Sequence, residues 1–389
     1  MVCLAIIGGK LQGTEACYLA KKAGYFSVLI DREENPPAKG MCDKFVQADV
    51  LRKDEALIAL LKSVDFVLPA MENDDALSAL HQLNGELNIA FDFNAYALTS
   101  SKRKSDLMFR ENNIPSPVHY PGGTAPYIAK PVNGSGSSGV RLIDTAADVS
   151  AFFDSCNKPK NWIVQEYLSG KSYSIEVIGK PGSYKTYQIT EIHTDENYDC
   201  RMVTCPCNEL TVAQKAFLSD LAIKVAELLR LKGIMDIEAI LSGGKLKILE
   251  IDARIPSQTP TAVYYSTGIN FLEEIYAVFC GTWANEKSCE ANAATELFTA
   301  FEHLEVSFSS KGNIIKRSGE GIMTQCTPLS LFKNYLGSDE VITDFCDNSH
   351  IMRCTMINAA KTDDLLSEKR KKAYLHIAKC NNQNAIDNL

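Results

Sequence analysis

The 389-residue sequence contains no apolar run of membrane length, no internal repeat and no low-complexity segment. Its apolar opening, Val2 to Ile7, is too short for the hydrophobic centre of a signal peptide and runs straight into glycines, so it reads as a first strand. Positive charge is not in excess. Lys and Arg number 40 against 48 Asp and Glu, a formal net charge of −8, which argues against a nucleic acid or an anionic membrane as partner. The 13 cysteines lack framework spacing, and an odd, scattered set implies reduced thiols in a cytoplasmic protein instead of a disulfide scaffold. Cys200, Cys205 and Cys207 form a local cluster with no tetrahedral set of spacings around it. Only six histidines occur, and His303, His350 and His376 stand alone, so structural or surface roles suit them better than metal ligation.

What is present begins with alternation. Val2 to Ile7, a glycine turn, a helical stretch ended by Gly24, Ser27 to Ile30 closing on Asp31, and Val64 to Leu68 closing on Pro69 to Asn73 follow one another. This order predicts a small parallel sheet of Rossmann type over residues 1–97. Ligands of such sheets gather at the carboxyl ends of the strands, which nominates Gly8 to Gly13, Asp31, Asp49 and Glu72. The run Gly8-Gly-Lys-Leu-Gln-Gly13 is not a full dinucleotide fingerprint, and its glycines also suit a tight turn. Lys10 and Gln12 exceed what a turn needs.

The chain's chemistry concentrates further on. Ile234 to Ile240 and Leu246 to Asp252, joined by Ser242-Gly-Gly244, read as a hairpin that would bring Glu238 beside Glu250 and Asp252. Three convergent carboxylates repel unless a cation sits among them, and oxygen ligands without His or Cys favour Mg²⁺ or Mn²⁺. Arg254 follows on the same face, suited to a phosphate or a developing negative charge. Upstream, basic residues around Lys104 at a helix start suggest an anion nearby or a solvated charge run. Tyr127 to Pro131 carries Lys130 into the loop Asn133 to Gly139, whose backbone N–H groups and Ser135, Ser137 and Ser138 could fold over phosphates. It is not a Walker loop, since no Gly-Lys-Ser/Thr opens a helix after it. Glu166 ends a strand, Trp162 to Leu168, where it could accept from ribose hydroxyls; Ser174 and Glu176 share a face of the next strand. Residues 211–230 read as a core helix with Val212, Phe217, Leu221, Val225 and Leu228 or Leu229 at helical spacing, and 271–280 as another. Between Pro256 and Ser266 lies a stiff polar loop suited to a small polar molecule. Residues 291–389 read as short strands and a terminal basic helix, with no chemistry of their own.

Lys104, Ala129-Lys130-Pro131, the Gly134 to Gly139 loop, Gln165-Glu166-Tyr167, Glu176, Glu238 and Glu250-x-Asp252-x-Arg254 fall in the order of the ATP-grasp superfamily. That resemblance implies an α/β ATP-grasp fold: a Rossmann-like pre-ATP domain (1–97), a core (98–290, with a small lobe about 124–170) whose two lobes enclose ATP, and a C-terminal α+β portion (291–389). A closer resemblance is carried by Gly8 to Gly13, Tyr198 to Thr204, Leu231 to Glu238 and Glu250 to Tyr265. These look like the pyrrolysine-biosynthesis ligases, which join 3-methyl-D-ornithine to the side-chain amine of L-lysine through an acyl phosphate.

The resemblance implies roles in turn. Lys104, Lys130, Ser135, Ser137, Ser138 and Gln165, Glu166, Tyr167 and Leu168 would hold ATP. Glu238, Glu250 and Asp252 would hold two Mg²⁺ ions or Mn²⁺ in their place, and Arg254 with Lys130 would serve catalysis. Leu11, Gln12 and Glu72 would grip lysine; Ser174, Glu176, Asp236, Ser257, Gln258, Thr259 and Thr261 would surround methylornithine. Apart from the resemblance, Lys10, Asp31 and Asp49 could hold a second nucleotide or simply line that pocket. Small molecules are the expected partners, and a homodimer is one state open to such a chain. The rival readings are another ATP-grasp amino-acid ligase, a purine-pathway carboxylase, or a nucleotide-binding regulatory protein without catalysis.

Overall fold

The first strand forms as Cys3–Ile7 and lies inside a four-stranded parallel sheet, between Phe26–Asp31 and Phe66–Pro69, with Lys44–Gln47 outermost. Leu4, Ala5 and Ile6 are wholly buried because helices cover both faces of such a sheet, which is why the segment shows no polar alternation. Helix Leu11–Ala23 crosses from the first strand to the second and ends at Gly24, whose φ is 68°. A Cβ on Gly13 would sit 2.0 Å from the Gly8 carbonyl oxygen, so glycine there is demanded by the close approach of helix and turn. This computed structural model describes residues 1–134, 136, 139–283, 296–309, 312–345 and 350–379, with backbone alone at 289–290.

A small lobe follows. Arg141–Ile143, Tyr127–Pro131 and Trp162–Glu166 form an antiparallel sheet backed by helix Ala146–Ser155, around a core that includes Ala129, Val149 and Val164.

The large sheet carries the rest. From one edge its main path runs Lys245–Asp252, Gly233–Ser242, Lys171–Lys180, Thr190–Thr194, Cys200–Cys205, Phe298–Ser307, Ile351–Ala360, Glu340–Thr343 and Ser330–Lys333. The strands beyond residue 290 therefore continue the sheet that holds the acidic hairpin. The terminal helix, Asp363–Lys379, uses its basic run to seat itself: both Arg370 Nη2 and Nε reach the buried Glu302 carboxylate at 2.9 Å.

Two local expectations are corrected. The segment between Pro256 and Ser266 is not a loop throughout, because helix Thr259–Thr267 starts there with Pro260 in its first turn, a position where the missing N–H costs nothing. Helix Val212–Leu229 forms behind a capping box of Thr211 and Gln214, but its buried stripe is Leu218, Leu221, Ala222 and Val225. Val212, Phe217 and Leu228 face out. Among the described residues no helix is long and apolar enough to cross a membrane.

Candidate active site

The hairpin forms in the expected register. Glu238 faces Glu250 and Asp236 faces Asp252, with a one-residue irregularity after Glu238 that leaves all four side chains turned toward one cleft. That cleft, about 600 Å³, lies where the hairpin, the small lobe and the first parallel sheet meet. Its volume suits a nucleotide-sized ligand.

The chain's own cations occupy much of the acidic surface. Arg254 donates from Nε to Glu72 at 2.7 Å, from Nη1 to Asp236 at 3.0 Å and from Nη2 to Asp252 at 3.0 Å, while Lys102 pairs with Glu250. Glu250 and Asp252 are thus drawn to different cations, and the trio Glu238, Glu250 and Asp252 does not stand as one ligand set. Among the described residues no group of three His, Cys, Asp or Glu is placed to hold a metal ion. The physical reason is charge: Lys102 attracts Glu250 and Arg254 attracts Asp252, which draws the two carboxylates apart. Glu238 has none in contact, and burial, then the charges of Glu250 and Asp236, push its pKa up to about 8. An oxygen-only pair facing across two strands, with one member uncompensated, is a donor set that fits Mg²⁺ or Mn²⁺.

On the small-lobe side Lys130 is 8 % exposed, and among the described residues its ammonium donates to the Leu249 carbonyl alone, at 3.3 Å. Burial pulls its pKa down, against the pull of Glu250 and Asp106. A buried ammonium so poorly matched is poised for an anion. Lys102, two residues before the expected Lys104, is the other basic group here; Lys104 is exposed, donates to the Ala97 carbonyl at 2.8 Å and stays off the cleft. Helical periodicity separates them, since residues two apart point to different sides of helix Lys102–Glu111. Ser135, Ser137 and Ser138 lie outside the described residues, but Gly134 and Gly136 line the cleft beside Lys102.

Gln165, Glu166, Tyr167 and Leu168 line the cleft's inner end together with Ile128, Ile240 and Leu249, which makes an apolar slot with a polar rim. The Glu166 carboxylate accepts from the Val118 N–H at 3.0 Å and pairs with Lys247. Burial opposes ionisation there, but those donors outweigh it and hold the pKa below the usual range.

On the opposite side Leu11, Gln12 and Glu72 enter from the parallel sheet, and Gln12 Nε2 donates to Glu72 at 2.8 Å. Ser174, Asp236, Ser257, Gln258 and Thr259 line the wall. Glu176 and Thr261 are wholly buried behind it. One Glu176 oxygen accepts from Ser174 Oγ at 3.4 Å and the other has no partner, and burial pushes its pKa up to about 7. Lys10 borders both this cleft and a second cavity of about 290 Å³, which holds Asp31 and Asp49. Both carboxylates there serve the backbone: Asp31 accepts from the Gly9 N–H at 2.7 Å and Asp49 from the Leu51 N–H at 3.0 Å.

Four contributors escaped sequence reasoning. Lys102 lay within the basic cluster already noticed. Glu15 is buried on the first helix, accepting from the Thr261 N–H at 2.6 Å, with a pKa pushed up to about 7 by burial. Asp199 and Glu320 line the cleft from the Tyr198 motif and from the C-terminal portion, where no chemistry was expected.

The profile of the ATP-grasp domain matches residues 99–258, the span that contains the small lobe and the hairpin. A 3-methyl-D-ornithine–L-lysine ligase of Methanosarcina barkeri is 39 % identical over 282 residues, 72 % of this chain and 74 % of that protein. The chain belongs to the ATP-grasp family. Solved structures share the fold of this ATP-grasp chain almost end to end. The biotin carboxylase domain of Hydrogenobacter thermophilus 2-oxoglutarate carboxylase, solved with MgADP, ADP and bicarbonate, superposes with a TM-score of 0.72 at 12 % identity, covering 95 % of this chain and 89 % of the other. Campylobacter jejuni biotin carboxylase, in a nucleotide complex, gives 0.71 at 14 % identity over 96 % and 94 %. Being of the family, this chain uses ATP and Mg²⁺.

Proposed function

We propose that the protein is an ATP-dependent carboxylate–amine ligase that joins the carboxylate of 3-methyl-D-ornithine to the ε-amine of L-lysine in pyrrolysine biosynthesis. The observation that carries this reading is the charge of the cleft. Its described lining includes eight Asp and Glu but four Lys and Arg, and no His. Phosphates alone would call for the reverse. Two diamino acids, each with two amines, supply the missing positive charge, and the identity with ligases of that substrate pair points the same way.

In this reading Lys102 and Lys130 hold the ATP phosphates, the Ile128–Leu249 slot takes adenine, and Glu166 accepts from the ribose. Glu238 and Glu250, which face each other across the hairpin, would hold Mg²⁺ or Mn²⁺, and the ion would neutralise charge on the transferring phosphoryl group. The methylornithine carboxylate attacks the γ-phosphorus, the bond to the β-bridging oxygen breaks, and ADP leaves an acyl phosphate behind. Lysine's deprotonated ε-amine then attacks the acyl carbon and expels phosphate; an ammonium with a pKa of about 10.4 must first lose its proton. Arg254, fork-shaped and already inside the cleft, stabilises the charge that builds on oxygen in both steps.

The test is ADP release with Mg²⁺, D-ornithine in place of the methylated donor, and L-lysine, with mass spectrometry of the product. ADP formation that requires both amino acids, and a product equal to their sum less one water, supports the reading. ATP binding without turnover on this pair would overturn the substrates and leave the fold family standing.

A further inference from the structure

Behind the Ile128–Leu249 slot, side chains from three separate segments meet on one carboxylate oxygen. Asp106 lies one turn after Lys102 on helix Lys102–Glu111 and is buried. Its Oδ2 accepts from Gln165 Nε2 at 3.1 Å, and His119 Nε2 stands 3.0 Å from the same atom. His119 reaches it because residues 118–120 run antiparallel beside strand Trp162–Glu166. The Tyr120 N–H donates to the Val164 carbonyl and the Glu166 N–H to the Val118 carbonyl. Asp106 and His119 are not part of the described cleft lining, whereas Gln165 belongs to it, beside its strand partner Ile128.

That meeting point decides which way the Gln165 amide faces. An ionised carboxylate only accepts hydrogen bonds, so the amide presents its nitrogen to Asp106; an amide oxygen in that place would be repelled. The imidazole does not reverse this. With Nε2 turned to the same Oδ2 it carries its proton there, and the 3.3 Å between His119 Nε2 and Gln165 Nε2 sets two donors side by side on one acceptor. Gln165 is 1 % exposed, so protein contacts hold its amide, and no described residue donates to its Oε1. An amide oxygen without a protein donor, at the polar rim of an apolar slot, calls for an N–H from a ligand.

Resting on the ATP-ligase reading above and its placement of adenine, we propose that Asp106 and His119 are positioning residues for nucleotide choice. They hold the Gln165 amide so that Oε1 faces the slot and accepts from the exocyclic amine of a 6-aminopurine. A 6-oxopurine would set its carbonyl oxygen against Oε1 with no proton between them. Selectivity for the base thus originates in a pair of side chains outside the cleft. The charge of Asp106 also favours the ammonium form of buried Lys130, but that contribution acts on phosphates and is common to every nucleoside triphosphate.

The test is equilibrium binding of ATP and of inosine triphosphate, each with Mg²⁺, to the full-length protein without amino acids, read by calorimetry as a ratio of Kd values. Asp106→Asn keeps the shape, yet an Asn amide can donate, so Gln165 is free to turn its oxygen inward and present its N–H groups to the slot. The expected result is a parent that prefers ATP and a preference reduced about ten- to a hundredfold in Asp106→Asn. His119→Leu is expected to move the ratio in the same direction and less. Loss of the Lys130 contribution alone, or a general loosening of the fold, would weaken both nucleotides equally; an unchanged ratio in Asp106→Asn therefore overturns the proposal. Gln165→Leu is the control for the slot itself. It should erase the preference, and adding Asp106→Asn to it should change the ratio no further. A preference that survives Gln165→Leu, or a parent with none, overturns the placement of adenine and the proposal with it. Preference lost in Gln165→Leu but kept in Asp106→Asn overturns the proposal alone.

Discussion

Replacing Glu176 by Gln should stabilise the ligand-free protein at alkaline pH while weakening it as an enzyme. Glu176 is wholly buried, one oxygen has only a 3.4 Å bond from Ser174, and the other has no partner. Burial lifts its pKa from 4.5 to about 7. Between those two values the folded state keeps a proton that the unfolded state has released, so stability falls as pH rises, by about 1.4 kcal/mol per unit for one group. The penalty is absent below pH 4.5 and complete above pH 7, where it reaches about 3 kcal/mol. The neutral amide of the Glu176→Gln variant carries no such penalty. Thermal unfolding of both proteins without ligands at pH 5 and pH 8 measures the difference. The expected result is near-equal midpoints at pH 5 and a variant higher by roughly 3–4 °C at pH 8, since about 1 kcal/mol moves the midpoint of a 389-residue chain by about 1 °C. KM for D-ornithine rises in the same variant. A pH-independent difference, or a variant less stable at pH 8, would refute the assignment of an uncompensated buried carboxylate.

Other substitutions separate the residues that face the cleft from those that do not. Lys102→Met is expected to lower kcat/KM for ATP about a hundredfold and Lys104→Met less than about twofold, and the opposite order would contradict the placement of the two side chains. Arg254→Lys keeps the charge but loses the fork that reaches Glu72, Asp236 and Asp252 together. It should cut kcat about 10²- to 10³-fold with ATP affinity nearly unchanged, as steady-state assay and nucleotide titration can show. Glu72→Gln should raise the KM for L-lysine about tenfold or more, yet leave the acyl phosphate forming, read as hydroxamate after trapping with hydroxylamine. Parallel loss of hydroxamate would place Glu72 in the first half-reaction.

Some of this was legible in the sequence because the relevant signals are local. Strand alternation with glycine punctuation yields the parallel sheet, and a Ser-Gly-Gly turn fixes the hairpin register, hence the facing of Glu238 and Glu250. Side-chain direction was not legible at the start of a helix. Lys102 and Lys104 differ there only in phase, and phase depends on where the helix begins, which for Lys102–Glu111 is Ser101 without a side-chain cap. The stripe of helix Val212–Leu229 was misplaced for a related reason: alanines at 222 and 226 mark the packed face as much as the larger Phe217 and Leu228 do the open one. Glu320 left no signal at all. Its environment comes from Asp199, Ser257 and Gln258, more than sixty residues away, brought together when strands beyond residue 290 extend the core sheet.

The same long-range closure explains why so many acids can be tolerated in one place. Glu15, Glu176 and Asp236 come from the first helix and from two neighbouring strands, and burial lifts each to a pKa of about 7. No fold is served by this: apolar groups of the same size would pack without the penalty. Near neutral pH the cost is lowered by protons kept on some of these groups and by Arg254, which pairs with Glu72, Asp236 and Asp252. A bound ammonium could take the place of a proton on any of these carboxyl groups. The buried carboxyl groups that cost stability are thus ones that the proposed diamino acids could satisfy, which would balance the acidic excess of the cleft lining.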